Sequence, residues 1–114
     1  MHSVDKGKTA EQQACVFLQS LGFEILELNV RTPFGEIDIL AKTAEILVFV
    51  EVKSKLSSSG GEAIEQVTPQ KLLHMTRSAQ AIVQRLHWSG EYRIDLICIE
   101  QGKVTDHIQN LELS

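Results

Sequence analysis

Between Asp5 and Leu21, the apolar residues Ala10, Ala14, Phe17, Leu18 and Leu21 recur at spacings of three and four. That period predicts an amphipathic helix, and Gly22 follows where a helix C-terminus favours positive φ. Glu24 to Val30 then alternates polar and apolar residues as a half-buried strand does, until Arg31-Thr-Pro-Phe-Gly35 breaks the pattern as a turn. Two β-rich runs, Glu36 to Lys42 and Ile46 to Lys53, are joined by Thr43-Ala-Glu45, short enough for a hairpin loop. The second run begins Ile-Leu-Val-Phe-Val without a polar break, the pattern of a strand covered on both faces in the middle of a sheet.

Leu56 to Gln66 contains Ser57-Ser-Ser-Gly-Gly61, a linker composition that suits either a loop over a site or a slack connection. Thr68-Pro69 then predicts a helix start, with the hydroxyl as N-cap and the proline where its missing N–H costs nothing. The helix carries Leu72, Met75, Ala79, Ile82, Val83 and Leu86 and ends near Trp88-Ser-Gly90. Glu91 to Glu100 and Val104 to Gln109 read as two more strands around Gln101-Gly-Lys103, so the order is α-β-β-β-α-β-β. With no repeat and no internal boundary, residues 1–114 are expected to form one domain.

Composition adds limits to this picture. At 114 residues a chain can bury a core without metal or disulfide staples, and Cys15 and Cys98, both in apolar runs, read as small core residues. No stretch approaches the ~20 apolar residues of a membrane helix, and Met1 to Lys8 lacks an apolar signal core, so a soluble, cytoplasmic chain without a membrane partner is expected. The net charge of −4 argues against a surface coated in lysine and arginine for gripping nucleic acid.

Where the charges fall is more informative than their sum. Asp38 stands between Ile37 and Ile39, and Glu51 between Val50 and Val52, positions where an unpaired carboxylate is costly. With a period of two, Glu36 shares a face with Asp38, and Glu51 with Lys53; if the strands are hairpin neighbours, both sets converge on one side. Adjacent carboxylates repel, and a divalent cation is the ordinary way to keep both ionised. Mg²⁺ held by two carboxylates and a backbone carbonyl keeps positions for a phosphate oxygen and a water, with Lys53 placed to orient that water: the parts of a phosphodiester hydrolysis site. A cross-strand ion pair of Asp38 with Lys53, or a solvated sheet face, accounts for the same spacing.

Several segments taken together resemble one family. Gly35-Glu-Ile-Asp38, Phe49-Val-Glu-Val-Lys53 with Lys55 two residues on, Gly7-x-x-Ala10-Glu11, Arg93-Ile-Asp95 and Asp106-His-Ile-Gln-Asn110 are similar to motifs of the YraN-like family of small bacterial proteins. The resemblance implies the restriction-endonuclease-like PD-(D/E)xK fold, akin to archaeal Holliday junction resolvases: a central mixed five-stranded sheet flanked by helices. It implies a nuclease acting on DNA, branched or structured DNA included, with Asp38, Glu51 and Lys53 catalytic, Glu11, Asp38 and Glu51 holding Mg²⁺ or Mn²⁺, and a homodimer as in junction-cleaving relatives. Ala10 and Lys55 depart from the family's glycine and arginine, and Gly60-Gly61 from its single glycine; Lys55 lacks the fork that arginine offers a phosphate.

Arg93 and Asp95 share a strand face as an ion pair or a brace for the site, with Glu36 in a similar supporting place. His74, His87 and His107 lack zinc-ligand spacing. Arg31, Lys42, Lys55, Lys71 and Arg77 are the expected phosphate contacts, and Lys71 sits with Gln66 and Gln70 at a helix start that suits an anion. Trp88 and Tyr92 read as packing rather than base-stacking residues. The alternative to the enzyme is a binding or interaction module that keeps the fold without chemistry. With Glu11, Glu36, Asp38 and Glu51 set aside as a metal cluster, the remaining acids equal the bases in number, so the net charge no longer excludes a nucleic-acid substrate.

Overall fold

The computed structural model describes residues 6–55 and 67–112, with the side chains of residues 6–9 and of Lys55 left out. The linker-like segment Leu56 to Gln66 therefore lies outside the described residues, as does any phosphate contact by the Lys55 side chain. The elements run α1 (Lys6–Ser20), β1 (Glu24–Thr32), β2 (Gly35–Thr43), β3 (Ile46–Lys55), α2 (Pro69–Leu86), β4 (Glu91–Glu100) and β5 (Lys103–Ile108). The strands form one mixed five-stranded sheet in the order β1-β2-β3-β4-β5. All neighbours are antiparallel except β3 and β4, which run parallel because α2 lies in the crossover between them.

The helix ends follow local chemistry. After α1, Gly22 takes φ +93, and Gly22 N–H and Phe23 N–H donate to the carbonyls of Gln19 and Leu18, a left-handed cap. At the start of α2, Thr68 Oγ1 accepts from Lys71 N–H at 3.1 Å, ahead of Pro69 in the first turn. That helix stops at His87 (φ 53), next to Trp88-Ser-Gly90, where its end is expected. His87 N–H satisfies the terminal carbonyls, and Trp88 is held aside by its Nε1–H donating to the Glu91 carbonyl at 2.9 Å.

The helices cover opposite faces of the sheet. Leu72, Met75, Ala79 and Ile82 of α2 pack on Leu47, Phe49, Leu96 and Cys98, whereas Ala10, Ala14 and Leu18 of α1 pack on Val48, Val50, Ile97 and Ile99. Both faces of β3 are thus buried, as its unbroken apolar run predicts, and Cys98 is core while Cys15 is half-buried beside α1's packing. Among the described residues, no helix is long and apolar enough to cross a membrane.

One irregularity creates the site. Ile37 belongs to the α2-side core, but Ile39, two residues on, belongs to the α1-side core. Strict alternation therefore fails across Asp38, yet Glu36 and Asp38 line one cleft together. The pairing of β2 with β3 runs from Thr43↔Ile46 to Ile39↔Val50, and beyond it Val52 N–H donates to Asp38 Oδ2 at 2.8 Å. A side chain replaces a backbone carbonyl as the acceptor where the ladder ends, drawing the Asp38 carboxylate in between the two strands.

Candidate active site

The separated ends of β2 and β3 and the first turns of α2 enclose a cleft of about 280 Å³. Asp38 and Glu51 line it from the sheet, Lys71, His74 and Ser78 from α2, and Glu36 from the rim. Glu51 is buried, and its Oε2 lies 3.0 Å from Lys71 Nζ and 3.7 Å from Lys53 Nζ. Two strand carboxylates and two lysines thus meet at one point.

The electrostatics are unbalanced. Burial first, then the nearby Glu51, push the Asp38 carboxyl up to about 7; the Val52 amide opposes this and Glu11 adds to it. Lys71 beside it, together with partial burial, brings the Lys53 ammonium below the usual lysine range. Desolvation lowers Lys71 too, but hydrogen bonding to Lys53 and Glu51 and the charges of Glu51 and Asp38 outweigh it and hold that ammonium above its ordinary range. Asp38 is the member whose charge is least compensated.

The donor set suits a hard divalent cation. Two carboxylates with water in the remaining positions fit Mg²⁺ or Mn²⁺, whereas the site offers no cysteine and His74 stands at its α2 wall. Among the described residues no group of three or more His, Cys, Asp or Glu side chains is gathered closely enough to hold a metal ion. Glu11 is accordingly not drawn in beside Asp38 and Glu51 as a third ligand. Both its oxygens accept from Asn29 Nδ2, at 3.1 and 3.2 Å, and it acts on Asp38 through charge.

Asn29 is a participant that sequence reasoning missed. It lies between Leu28 and Val30, whose partners Ile39 and Ile37 flank Asp38, and it takes φ 51 inside a strand. Asparagine tolerates that left-handed conformation better than most residues, which was the available signal. Its backbone turns the side chain toward α1, tying Glu11 to the stretch of β1 that faces Asp38.

The other candidates divide by place. Arg31 pairs with Glu36 across the start of the β1–β2 hairpin (Nε–Oε2 3.4 Å), and of the two it is Glu36 that lines the cleft. Lys42 lies elsewhere, over the Trp88 ring at 5.8 Å. Arg93 and Asp95 form an ion pair (Nε–Oδ1 3.0 Å) outside the cleft, joined by His107 Nε2 at 2.8 Å from Asp95 Oδ2 and by Asn110 N–H at 3.1 Å from Oδ1. Asp95 and its partners brace β4 against β5 and the segment after it.

Comparison with known proteins shows the family. Residues 10–99 match the model of "Uncharacterised protein family UPF0102". A UPF0102 protein of Cytophaga hutchinsonii is 34% identical over 113 residues, covering 99% of this chain and 100% of the relative. One from Campylobacter fetus subsp. fetus is 44% identical over 105 residues, 92% of this chain and 91% of the relative. A Helicobacter pylori UPF0102 protein is 38% identical over 99 residues, 87% and 84% of the two chains. Matched along nearly its whole length, with Glu11, Asp38, Glu51, Lys53 and Asp95 all inside the matching segment, the chain belongs to the UPF0102, or YraN-like, family.

Proposed function

We propose that this protein is a metal-dependent endonuclease of the restriction-endonuclease-like PD-(D/E)xK kind, hydrolysing phosphodiester bonds in DNA that is branched or otherwise structured. The observation that carries this is the convergence of Asp38 and Glu51 in one cleft with both Lys53 and Lys71 on Glu51. Among the described residues both lysines pair with Glu51, at 3.7 and 3.0 Å, and Asp38 forms no salt bridge. Here Asp38 faces a second carboxylate and a single amide, an arrangement that is relieved when a divalent cation enters.

Asp38 and Glu51 would hold Mg²⁺ or Mn²⁺. When bound, that ion supplies Lewis-acid polarisation of a phosphate oxygen and a water of lowered pKa. The remaining work belongs to the chain. Lys53, with Nζ 3.7 Å from Glu51 Oε2, orients the attacking water. Lys71, at the start of α2, presents a cation to the negative charge that grows on the phosphate oxygens. Hydrolysis joins the water oxygen to phosphorus and breaks the bond to the leaving sugar oxygen, which takes up a proton. Glu11, held by Asn29, adds negative charge behind Asp38 and so favours retention of the cation.

The test is cleavage of four-way, flapped, single-stranded and duplex DNA with and without Mn²⁺, paired with calorimetric titration of Mn²⁺. Cleavage that requires Mn²⁺ and falls at least ~hundredfold in both Glu51→Gln and Lys53→Met is expected. Failure to cleave any of these substrates, with no heat of Mn²⁺ binding, would transfer the fold to the class of non-catalytic binding modules.

A further inference from the structure

A second cleft adjoins the first. It also has a volume of about 280 Å³, and it is lined by Phe34, Arg77, Gln80, Ala81 and Gln84. Phe34 lines both clefts and stands between them, at the tip of the β1–β2 hairpin, with 44% of its surface exposed. On α2 the residues facing it follow the helical repeat: Arg77, Gln80 and Gln84 are spaced three and four apart and continue the row begun by Lys71 and His74. From Lys71 to Gln84 that row spans about 20 Å of helix.

The hairpin tip that carries the ring is tied to α2. Phe34 N–H donates to Thr32 Oγ1 at 3.0 Å, and Thr32 Oγ1 donates to the Gly35 carbonyl at 2.9 Å. The same oxygen lies 2.8 Å from Oγ of Ser78, a buried residue of α2. Pro33 presets the backbone before the ring, and Gly35 takes φ +142 after it, with room for Ser78 alongside. With its backbone already tied to a helix, Phe34 gives up only side-chain freedom when something stacks on it.

Resting on the nuclease reading above, we propose that the second cleft is a subsite for one unpaired base next to the phosphate to be cut, with Phe34 as its stacking platform. The chemistry of the lining fits a nucleotide. An aromatic face takes any base, Gln80 and Gln84 offer amide donors and acceptors to its edge, and Arg77 offers a guanidinium to the neighbouring phosphate. Among the described residues no carboxylate lines this cleft, in contrast to its neighbour. Bases within a duplex are already stacked on each other, so only a base displaced from pairing can lie on Phe34. The substrate class is therefore DNA with an unpaired nucleotide beside the cut, such as a flap or a junction branch point, over continuous duplex.

The experiment uses DNA carrying 2-aminopurine, either in an unpaired flap or within continuous duplex, titrated with the protein in EDTA; cleavage of the same strands is followed separately in Mn²⁺. Quenching is expected only for the unpaired probe. Phe34→Ala and Phe34→Leu are expected to weaken its binding about tenfold, while Phe34→Trp retains it and duplex binding stays level. Equal affinity and quenching in wild type and Phe34→Leu would overturn the subsite. If Asp38-dependent cleavage continues in that case, the nuclease stands and only the subsite falls. If quenching depends on Phe34 but no strand is cut in Mn²⁺, the base site stands and the nuclease reading falls.

Discussion

Asp38 and Asp95 are both aspartates placed among isoleucines and leucines in a strand, and the structure treats them in opposite ways. Asp95 is 0% exposed and receives Arg93 Nε and Nη2, His107 Nε2 and the Asn110 amide. Asp38 is only partly buried, accepts one amide from Val52, and has the like charge of Glu51 as its largest charge effect. Depth of burial does not separate structural from chemical carboxylates here, since the deeper one is the satisfied one. What separates them is the sign of their neighbours: Asp95 has its cation within the chain, and Asp38 is left with a deficit that a ligand can fill.

The largest expected effect tests the satisfied member. Asp95→Ala leaves the Arg93 guanidinium, whose side chain is mostly buried, and His107 without their carboxylate, and opens the link from β4 to the segment carrying Asn110. Breaking one side of such a pair costs about 3–5 kcal/mol. Urea unfolding followed by circular dichroism measures it. A loss below about 1 kcal/mol would mean that the two aspartates are not different in kind.

An intermediate effect is expected at Asp38, with the opposite sign. Its carboxyl titrates near 7 in the folded chain and near 3.8 when unfolded. Below pH ~4 both states hold the proton and nothing is lost. As the pH rises from there, the unfolded chain releases its proton first, the folded chain binds more protons, and stability falls until about pH 7, where the difference levels off. At a partly exposed position the fall is about 1–2 kcal/mol. Thermal unfolding of wild type against Asp38→Asn in EDTA, from pH 4 to pH 8, isolates it. The variant keeps an acceptor for Val52 N–H without the charge, so it becomes the more stable protein above pH 7, and Mn²⁺ narrows the gap by stabilising wild type alone. Parallel pH profiles for the two proteins would show that Asp38 carries no such deficit.

How far this contrast is legible in the sequence depends on which force does the placing. Glu51 and Asp38 stand out because a carboxylate between β-branched neighbours demands an explanation, and the period of β3 sends Glu51 and Lys53 to one face without ambiguity. The helix starting at Thr68-Pro69 is equally local in origin, and it delivers Lys71 to Glu51, a salt bridge that no spacing between residues 51 and 71 could announce. Asp38 reaches the cleft for a reason the alternation rule does not contain: the β2–β3 ladder ends at Ile39, and Val52 N–H needs an acceptor. Asn29 and His107 were hidden for a related reason. The first looks like any outward polar residue until its positive φ is seen. The second meets Asp95 across β4 and β5, where a register shift at Cys98/Ile99 defeats counting along the strands.

The smallest expected effect lies at the start of the β1–β2 hairpin, where Arg31 and Glu36 form an ion pair that resembles Arg93–Asp95 on paper. Arg31's side chain is 89% exposed, so water and salt screen the pair, and holding two long side chains together costs entropy. A double-mutant cycle of Arg31→Ala and Glu36→Ala is expected to give a coupling of a few tenths of a kcal/mol, about a tenth of the Asp95 effect. The same exposure makes Arg31 more useful to a ligand than to the fold. If it contacts a DNA phosphate, Arg31→Ala reduces the slope of log affinity against log salt by close to one, uniformly across DNA structures, while the melting temperature stays put. A coupling above about 1 kcal/mol, with an unchanged salt slope, would instead class Arg31 with Arg93 as part of the scaffold. The sign and surroundings of a charge would then be a poorer guide to its role in this molecule than the contrast of Asp38 with Asp95 indicates.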